Sequence, residues 1–286
     1  MKKFLLIIFV VPFLLLGQTE KIQLLSSLSF PIYKQNITAI ETDFMGLNWI
    51  GTLNGLVCYN GERGHTVTTK NSIIPSNKIL SIAIKDDIKY IGTTEGLLII
   101  NKNNWAVFNS ENSNLPSNKI RKIVINNDLI WIATSAGLVK YNTEFEVVLS
   151  GNKNGILDDD FISMDIDDDD VVWLGTNSGL YSFQNNIWRV FNIENSQIPN
   201  NHIWHIIVDG QNRKWIGTKK GIAVVEENDW LIFDKKNTPL KSSTVRSIIY
   251  DGYDSVWVGT DRGIFSYNGK CWKKHNTFVR RYLRDF

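Results

Sequence analysis

An aromatic-aliphatic-Gly-Thr element that returns six times, four strand-sized runs in each interval, and no helical apolar pattern beyond the N-terminal residues predict an all-β chain. The architecture they predict is a β-propeller of six four-stranded blades. The copies begin at Trp49, Tyr90, Trp131, Trp173, Trp215 and Trp257, in steps of 41, 41, 42, 42 and 42 residues. Trp173-Leu174-Gly175-Thr176-Asn177-Ser178-Gly179-Leu180 is representative, and the third copy carries Ala133 in place of the first Gly. A period near 40 residues with short strands and a recurring Trp/Gly signature is how propeller blades read in sequence.

Each interval repeats the same order. A first strand begins at Ile37, Ile79, Ile120, Phe161, Ile203 or Val245 and ends in a polar turn such as Asp209-Gly210-Gln211-Asn212 or Asp251-Gly252-Tyr253-Asp254. Asp, Asn and Gly tolerate the tight or left-handed backbone such turns need. The aromatic-aliphatic-Gly-Thr run is the second strand. Two variable residues and a Gly (Gly55, Gly96, Gly137, Gly179, Gly221 or Gly263) then turn the chain into the third strand. The fourth often places Trp and Phe three apart, as in Trp105 and Phe108, Trp188 and Phe191, and Trp230 and Phe233. A polar loop such as Asn195-Ser196-Gln197-Ile198-Pro199-Asn200-Asn201 closes the unit. One such unit is apolar on both faces and must stack on its neighbours to bury them, so the repeated aromatics are expected between blades. The expected blades are 36–76, 77–117, 118–159, 160–200, 201–243 and 244–276. A seventh blade assembled from Ile22–Leu28 and Val279–Leu283 is the alternative.

The ends and the composition set the surroundings. Lys2 and Lys3 precede an unbroken apolar run from Phe4 to Leu16, and Gly17 precedes polar residues. This reads as a signal peptide over 1–17 rather than a membrane anchor, because a spanning helix needs about 20 residues. A lead-in of 18–35 and a tail of 277–286 flank the repeats. The mature chain is expected to be secreted or periplasmic, with no membrane span. A net charge of +2 excludes a nucleic-acid-sized positive field. Cys58 in the first repeat and Cys271 in the last would be neighbours in a closed ring. Stacked sheets lie about 10 Å apart and a disulfide needs Cα atoms within about 7 Å, so two separate thiols are expected.

The W-I-G-T-x-x-G-L element, the Asp-rich turn before it and the N-S-x-[IL]-P-[SN]-N loop resemble two-component regulator propeller repeats over about 240 residues. That resemblance implies an exported, ligand-sensing propeller, often of seven blades and usually joined to a sensor kinase. The repeats here are followed by no transmembrane helix, kinase, receiver or DNA-binding segment. A stand-alone exported propeller is therefore expected.

Chemistry-bearing residues are sparse. No G-x-S-x-G, H-E-x-x-H, phosphate loop or C-x-x-C occurs. Asp158, Asp159 and Asp160, followed by Asp165 and Asp167 to Asp170, have the oxygen chemistry of a Ca²⁺ site but not the spacing of a calcium loop. Solvated acidic turns are expected, with Asp158, Asp159 and Asp160 the weak metal candidates and no cofactor otherwise. His202 and His205 are three apart on a strand, where simple alternation puts them on opposite faces. His202 stands where loop meets strand, a position suited to ligand contact.

Variation on a fixed framework is how a rigid scaffold carries specificity. The free pairs in the turns after the second strands and the residues entering the first strands share one end of the blades. The expected ligand contacts there are Lys78, Glu95, Lys119, Asn177, Ser178, His202, Lys219, Lys220, Asp261 and Arg262. They would receive a small molecule, a glycan or a protein partner, with no catalytic residue assigned. A propeller lyase or hydrolase using His202 and acidic residues, or a structural scaffold in an envelope assembly, are the alternatives.

Overall fold

The computed structural model describes residues 36–150, 160–227, 229–240 and 244–275. The expected signal peptide, lead-in and tail, and with them both segments of the seventh-blade alternative, lie outside the described residues, as do Asp158 and Asp159. Among the described residues twenty-four strands form six four-stranded antiparallel sheets, each a simple meander in which strands adjacent in sequence are hydrogen-bonded. These are the blades of an all-β propeller, numbered 1 to 6 in chain order. The chain divides into two compact units, residues 1–125 and 126–286, the division falling within the first strand of blade 3 (Ile120–Asn126).

In the first unit, blade 1 (Ile37–Thr42, Asn48–Thr52, Leu56–Tyr59, Gly64–Val67) packs on blade 2 (Ile79–Lys85, Ile88–Thr93, Leu97–Asn101, Asn104–Phe108). Trp49, Leu56, Cys58, Val67 and Ile74 of blade 1 share one apolar cluster with Ile79, Ile82, Ile91, Leu98 and Ile100 of blade 2. The second unit repeats this arrangement. Trp173, Leu180 and Ile198 pack with Ile203, Ile206, Ile216 and Val225 of blade 5. Trp215, Ile222 and Phe233 of blade 5 pack with Val245, Ile248, Val258 and Phe265 of blade 6. The repeated aromatics are therefore inter-blade core at Trp49, Trp173 and Trp215.

The Gly of the second strand owes its identity to this stacking. A Cβ at Gly175 would lie 2.6 Å from Ile203 of the next blade, and the first strands of blades 2, 3 and 6 likewise sit directly on the preceding blade's Gly. The Thr that follows has a different task. Thr218 Oγ1 donates to the Gly221 carbonyl and accepts from the Lys220 N–H, which closes the turn and leaves the intervening pair free to vary.

The Asp-rich turns differ from the expectation of solvated loops. Asp167 is 5 % exposed and its two oxygens are fully used. Oδ1 accepts from the Asp169 and Val171 N–H groups, and Oδ2 accepts from the Trp173 indole at 2.9 Å. Lys214 of the next blade completes the set at 3.2 Å. Asp43 with Trp49 and Lys89, and Asp209 with Trp215 and Arg213, are built the same way. Asp165 is also engaged, accepting from the Val208 N–H of blade 5 at 2.7 Å. Burying the repeat aromatic leaves its indole N–H in need of an acceptor, and an Asp six residues earlier supplies one.

The closing loops are equally ordered. Asn195 Oδ1 accepts from the Asn192 N–H while its Nδ2 donates to the Val190 carbonyl, and Asn201 Oδ1 accepts from the Ile193 N–H. Ile74, Leu115, Ile198 and Leu240 plug the loops into the core at 3 % exposure or less. Blade 4 departs slightly from expectation. Its first strand runs Ser163–Ile166 rather than from Phe161, which is buried ahead of it.

Candidate functional site

Register brings the two sets of expected contacts to one end of each blade. Ile203 pairs with Thr218 and Val245 with Thr260, so the entry to the first strand lies beside the turn after the second. Main-chain bonds fasten them, Lys219 N–H to the His202 carbonyl at 3.3 Å and Thr94 N–H to the Lys78 carbonyl at 3.2 Å. Glu95, Asn177, Lys219, Lys220, Asp261 and Arg262 project as exposed side chains from these turns, and Lys78 is exposed at a strand entry. Ser178 is half-buried, its N–H taken by Thr176 Oγ1. At half-buried Lys119, burial and then the neighbouring Arg121 depress the pKa. The Asn residues of the entries are structural: Asn77, Asn118 and Asn201 each accept a backbone N–H from the loop behind them.

In the second unit the structure gathers His202, Lys219 and Asp261 around two residues that the sequence did not single out. Each first strand of blades 1, 2, 5 and 6 carries a register shift one residue in, between Ile37 and Ala39, Ile79 and Ser81, Ile203 and His205, and Val245 and Ser247. A bulge leaves its extra residue outside the ladder and re-aims its side chain. In blades 5 and 6 the extra residues are Trp204 and Arg246, and they meet: the Arg246 guanidinium carbon stands 4.4 Å over the Trp204 ring. His202 packs on the same Trp204 at 4.1 Å between ring centroids. Asp261 accepts from Arg246 Nε at 2.9 Å.

The bulge also removes the alternation argument for the two histidines. Their contacts separate them instead. His202 lies on Trp204, whereas His205 Nδ1 accepts from the Ile248 N–H of blade 6 at 3.3 Å.

Two polar atoms in this cluster are buried without a partner among the described residues, His202 Nε2 and Trp204 Nε1. Burial lowers the His202 pKa, and the charges of Lys219 and then Arg246 lower it further, which favours the neutral imidazole. The result is a ring pair with unused nitrogens beneath an exposed guanidinium. Among the described residues no group of three or more His, Cys, Asp or Glu side chains is placed to hold a metal ion. Asp160 has interaction partners of its own. A crevice of about 140 Å³ between Arg213, Trp215, Phe233 and Tyr267 lies at the opposite end of the blades. It is smaller than the few hundred Å³ of an ordinary ligand pocket. Cys58 is a buried free thiol and Cys271 an exposed one.

No protein-family model matches the chain, and no curated protein matches it. Solved structures do. The extracellular domains of two hybrid two component systems from B. thetaiotaomicron are each 21 % identical over 85 % of this chain, with TM-scores of 0.72 and 0.59. The aligned region covers 34 % and 38 % of those domains, so this chain spans little more than a third of their length. Virginiamycin B lyase from Staphylococcus aureus, solved with quinupristin, is 12 % identical over 88 % of both chains, with a TM-score of 0.70. At these identities the likeness is one of fold. It agrees with the propeller and with the resemblance carried by the repeats. Among the described residues no helix is long and apolar enough to cross a membrane.

Proposed function

We propose that this chain is an exported binding module, capturing a small molecule, glycan or protein partner at the blade end that carries the turns after the second strands. The observation that carries this reading is the junction of blades 5 and 6. The Thr–Gly turns at this end satisfy their own backbone groups, as Thr218 does with Gly221 and Lys220. At His202 and Trp204 two buried ring nitrogens are left unspent, beside an exposed cation. An unpaired buried donor costs roughly 1–3 kcal/mol, a cost that persists where a ligand recovers it. The extracellular placement of the sensor domains that share the fold, and the apolar N-terminal run, support action outside the cytoplasm.

A catalytic reading is less well supported. The charged groups that act on His202 are Lys219 and Arg246, both cations, and they favour the neutral imidazole without a carboxylate to orient it. The test is a screen of small molecules, glycans and peptides against the wild type, with Lys220→Glu/Arg262→Glu and Tyr253→Ala as paired variants. Tyr253 is exposed in the turn between the first and second strands of blade 6, at the other end. Binding should be lost in the double variant and kept in Tyr253→Ala. A ligand that ignores the double variant, or that is lost in Tyr253→Ala, contradicts the proposal.

A further inference from the structure

Resting on that reading of the same blade end, we infer that the junction of blades 5 and 6 is a carboxylate site, in which Arg246, Trp204 and His202 together grip a single planar anion.

The donors define the ligand. Arg246 uses only Nε, toward Asp261, so its two terminal amino groups have no hydrogen-bond partner among the described residues. A guanidinium that offers two parallel N–H bonds matches a carboxylate better than it matches a single hydroxyl or carbonyl oxygen. The indole N–H of Trp204 is a donor only, and it too is unpaired. His202 Nε2 completes the set, and a neutral imidazole with its proton on Nε2 donates a third bond. The three side chains are already in register, with the guanidinium over the Trp204 ring and the His202 ring against it.

Charge sets the valence. At this end of blades 5 and 6 the cations Lys219, Lys220, Arg246 and Arg262 accompany Asp261, and the further acid there, Asp234, is taken up by the Lys236 N–H. The cluster itself offers one cation, Arg246, which suits one negative charge rather than the two of a phosphate monoester. Entry is provided by Arg246, whose side chain is 42 % exposed. Stacking over an aromatic face at an exposed site is weak. An exposed ion pair is worth about as little. The guanidinium can therefore swing aside, admit the carboxylate to the ring nitrogens and close over it.

Trp204 provides the readout, since a hydrogen bond to its indole N–H moves that proton downfield. In ¹H–¹⁵N spectra of the full chain, Trp204→Phe identifies the signal while keeping the ring. Glutarate and galacturonate should each shift it saturably, and glutaramide, which has the same length without the charge, should not. Arg246→Gln should weaken the carboxylate response roughly tenfold or more, as expected for a lost charge-assisted bond. The other indole signals, unchanged, show that the variant is folded. A tetraglutamate peptide forms a second arm: a stronger response to it assigns the carboxylate to an acidic segment of a partner, a stronger response to the small acids to a metabolite, and both support the site. A Trp204 signal that ignores every carboxylate, or that responds equally to glutaramide, overturns it. A neutral ligand that binds in the screen and is lost in Lys220→Glu/Arg262→Glu, while the Trp204 signal ignores carboxylates, removes this inference and leaves the binding module standing.

Discussion

At the residue scale, Asp209 shows how one carboxylate organises a blade. Burial pushes its pKa up, but the hydrogen bonds from Arg213, Trp215 and the backbone N–H groups of Arg213 and Gln211 outweigh that, and the net shift is downward. A carboxyl whose folded pKa is depressed adds stability that is complete above its unfolded value, near 3.9, and is lost as pH falls through the lower folded value. Asp209→Asn should therefore destabilise the protein at pH 7 by about 2–4 kcal/mol, since it weakens several charge-assisted bonds at once. The gap between wild type and variant should narrow below pH 4, as measured by urea unfolding at a series of pH values. A gap that does not vary with pH would mean that Asp209 acts through shape alone. Cys58 is the second residue with a clear forecast. Burial first, and Asp43 next, push its thiol up to about 12 against the pull of Lys89. Iodoacetamide should label Cys271 in the native protein and reach Cys58 only on unfolding, giving one modified thiol by mass spectrometry before denaturant and two after.

At the element scale, the two kinds of turn make different demands on glycine. Gly221 has φ +133°, and a Cβ there would lie 2.5 Å from the Phe233 carbonyl oxygen. Gly252 has φ +80° with open space around it. Gly221→Ala should cost more than Gly252→Ala, by about 2 kcal/mol or more, because it adds a backbone clash to the conformational strain. Equal shifts in thermal midpoint would contradict this.

The repeat made the blades legible because strand, turn and stacking each leave a fixed residue: the aromatic, the first Gly, the Thr and the second Gly. The Asp six residues before the Trp was just as visible, at Asp43, Asp167, Asp209 and Asp251. At Asp167 the sequence suggests only a solvated turn residue, because nothing in a carboxylate's identity announces that a buried indole will claim it. The candidate site was half legible. Its loop residues His202, Lys219 and Asp261 stood out as variation on a framework. Trp204 and Arg246 did not, since a strand position is assumed to alternate and only the bulge turns them toward each other. The signal that could have found them is the position after the apolar residue that opens each blade, where Thr38, Leu80, Arg121, Ile162, Trp204 and Arg246 vary behind Ile37, Ile79, Ile120, Phe161, Ile203 and Val245.

At the scale of the whole molecule, the same building rule operates inside each compact unit. A blade's second-strand Gly receives the next blade's first strand, and an Asp of one blade takes a Lys of the next, as Asp43 does with Lys89 and Asp167 with Lys214. This framework is indifferent to the two residues between Thr and Gly and to the residue that each bulge turns out. The proposed binding surface therefore lies at the end of the blades that carries these variable residues, opposite the clamped Asp turns. Hydrogen–deuterium exchange of the full chain, with and without the strongest ligand from the screen, tests that division most directly. Protection confined to residues 202–204, 219–220, 244–246 and 261–262 is the predicted result. Protection centred on the turns at 209–213 and 251–255 would contradict it.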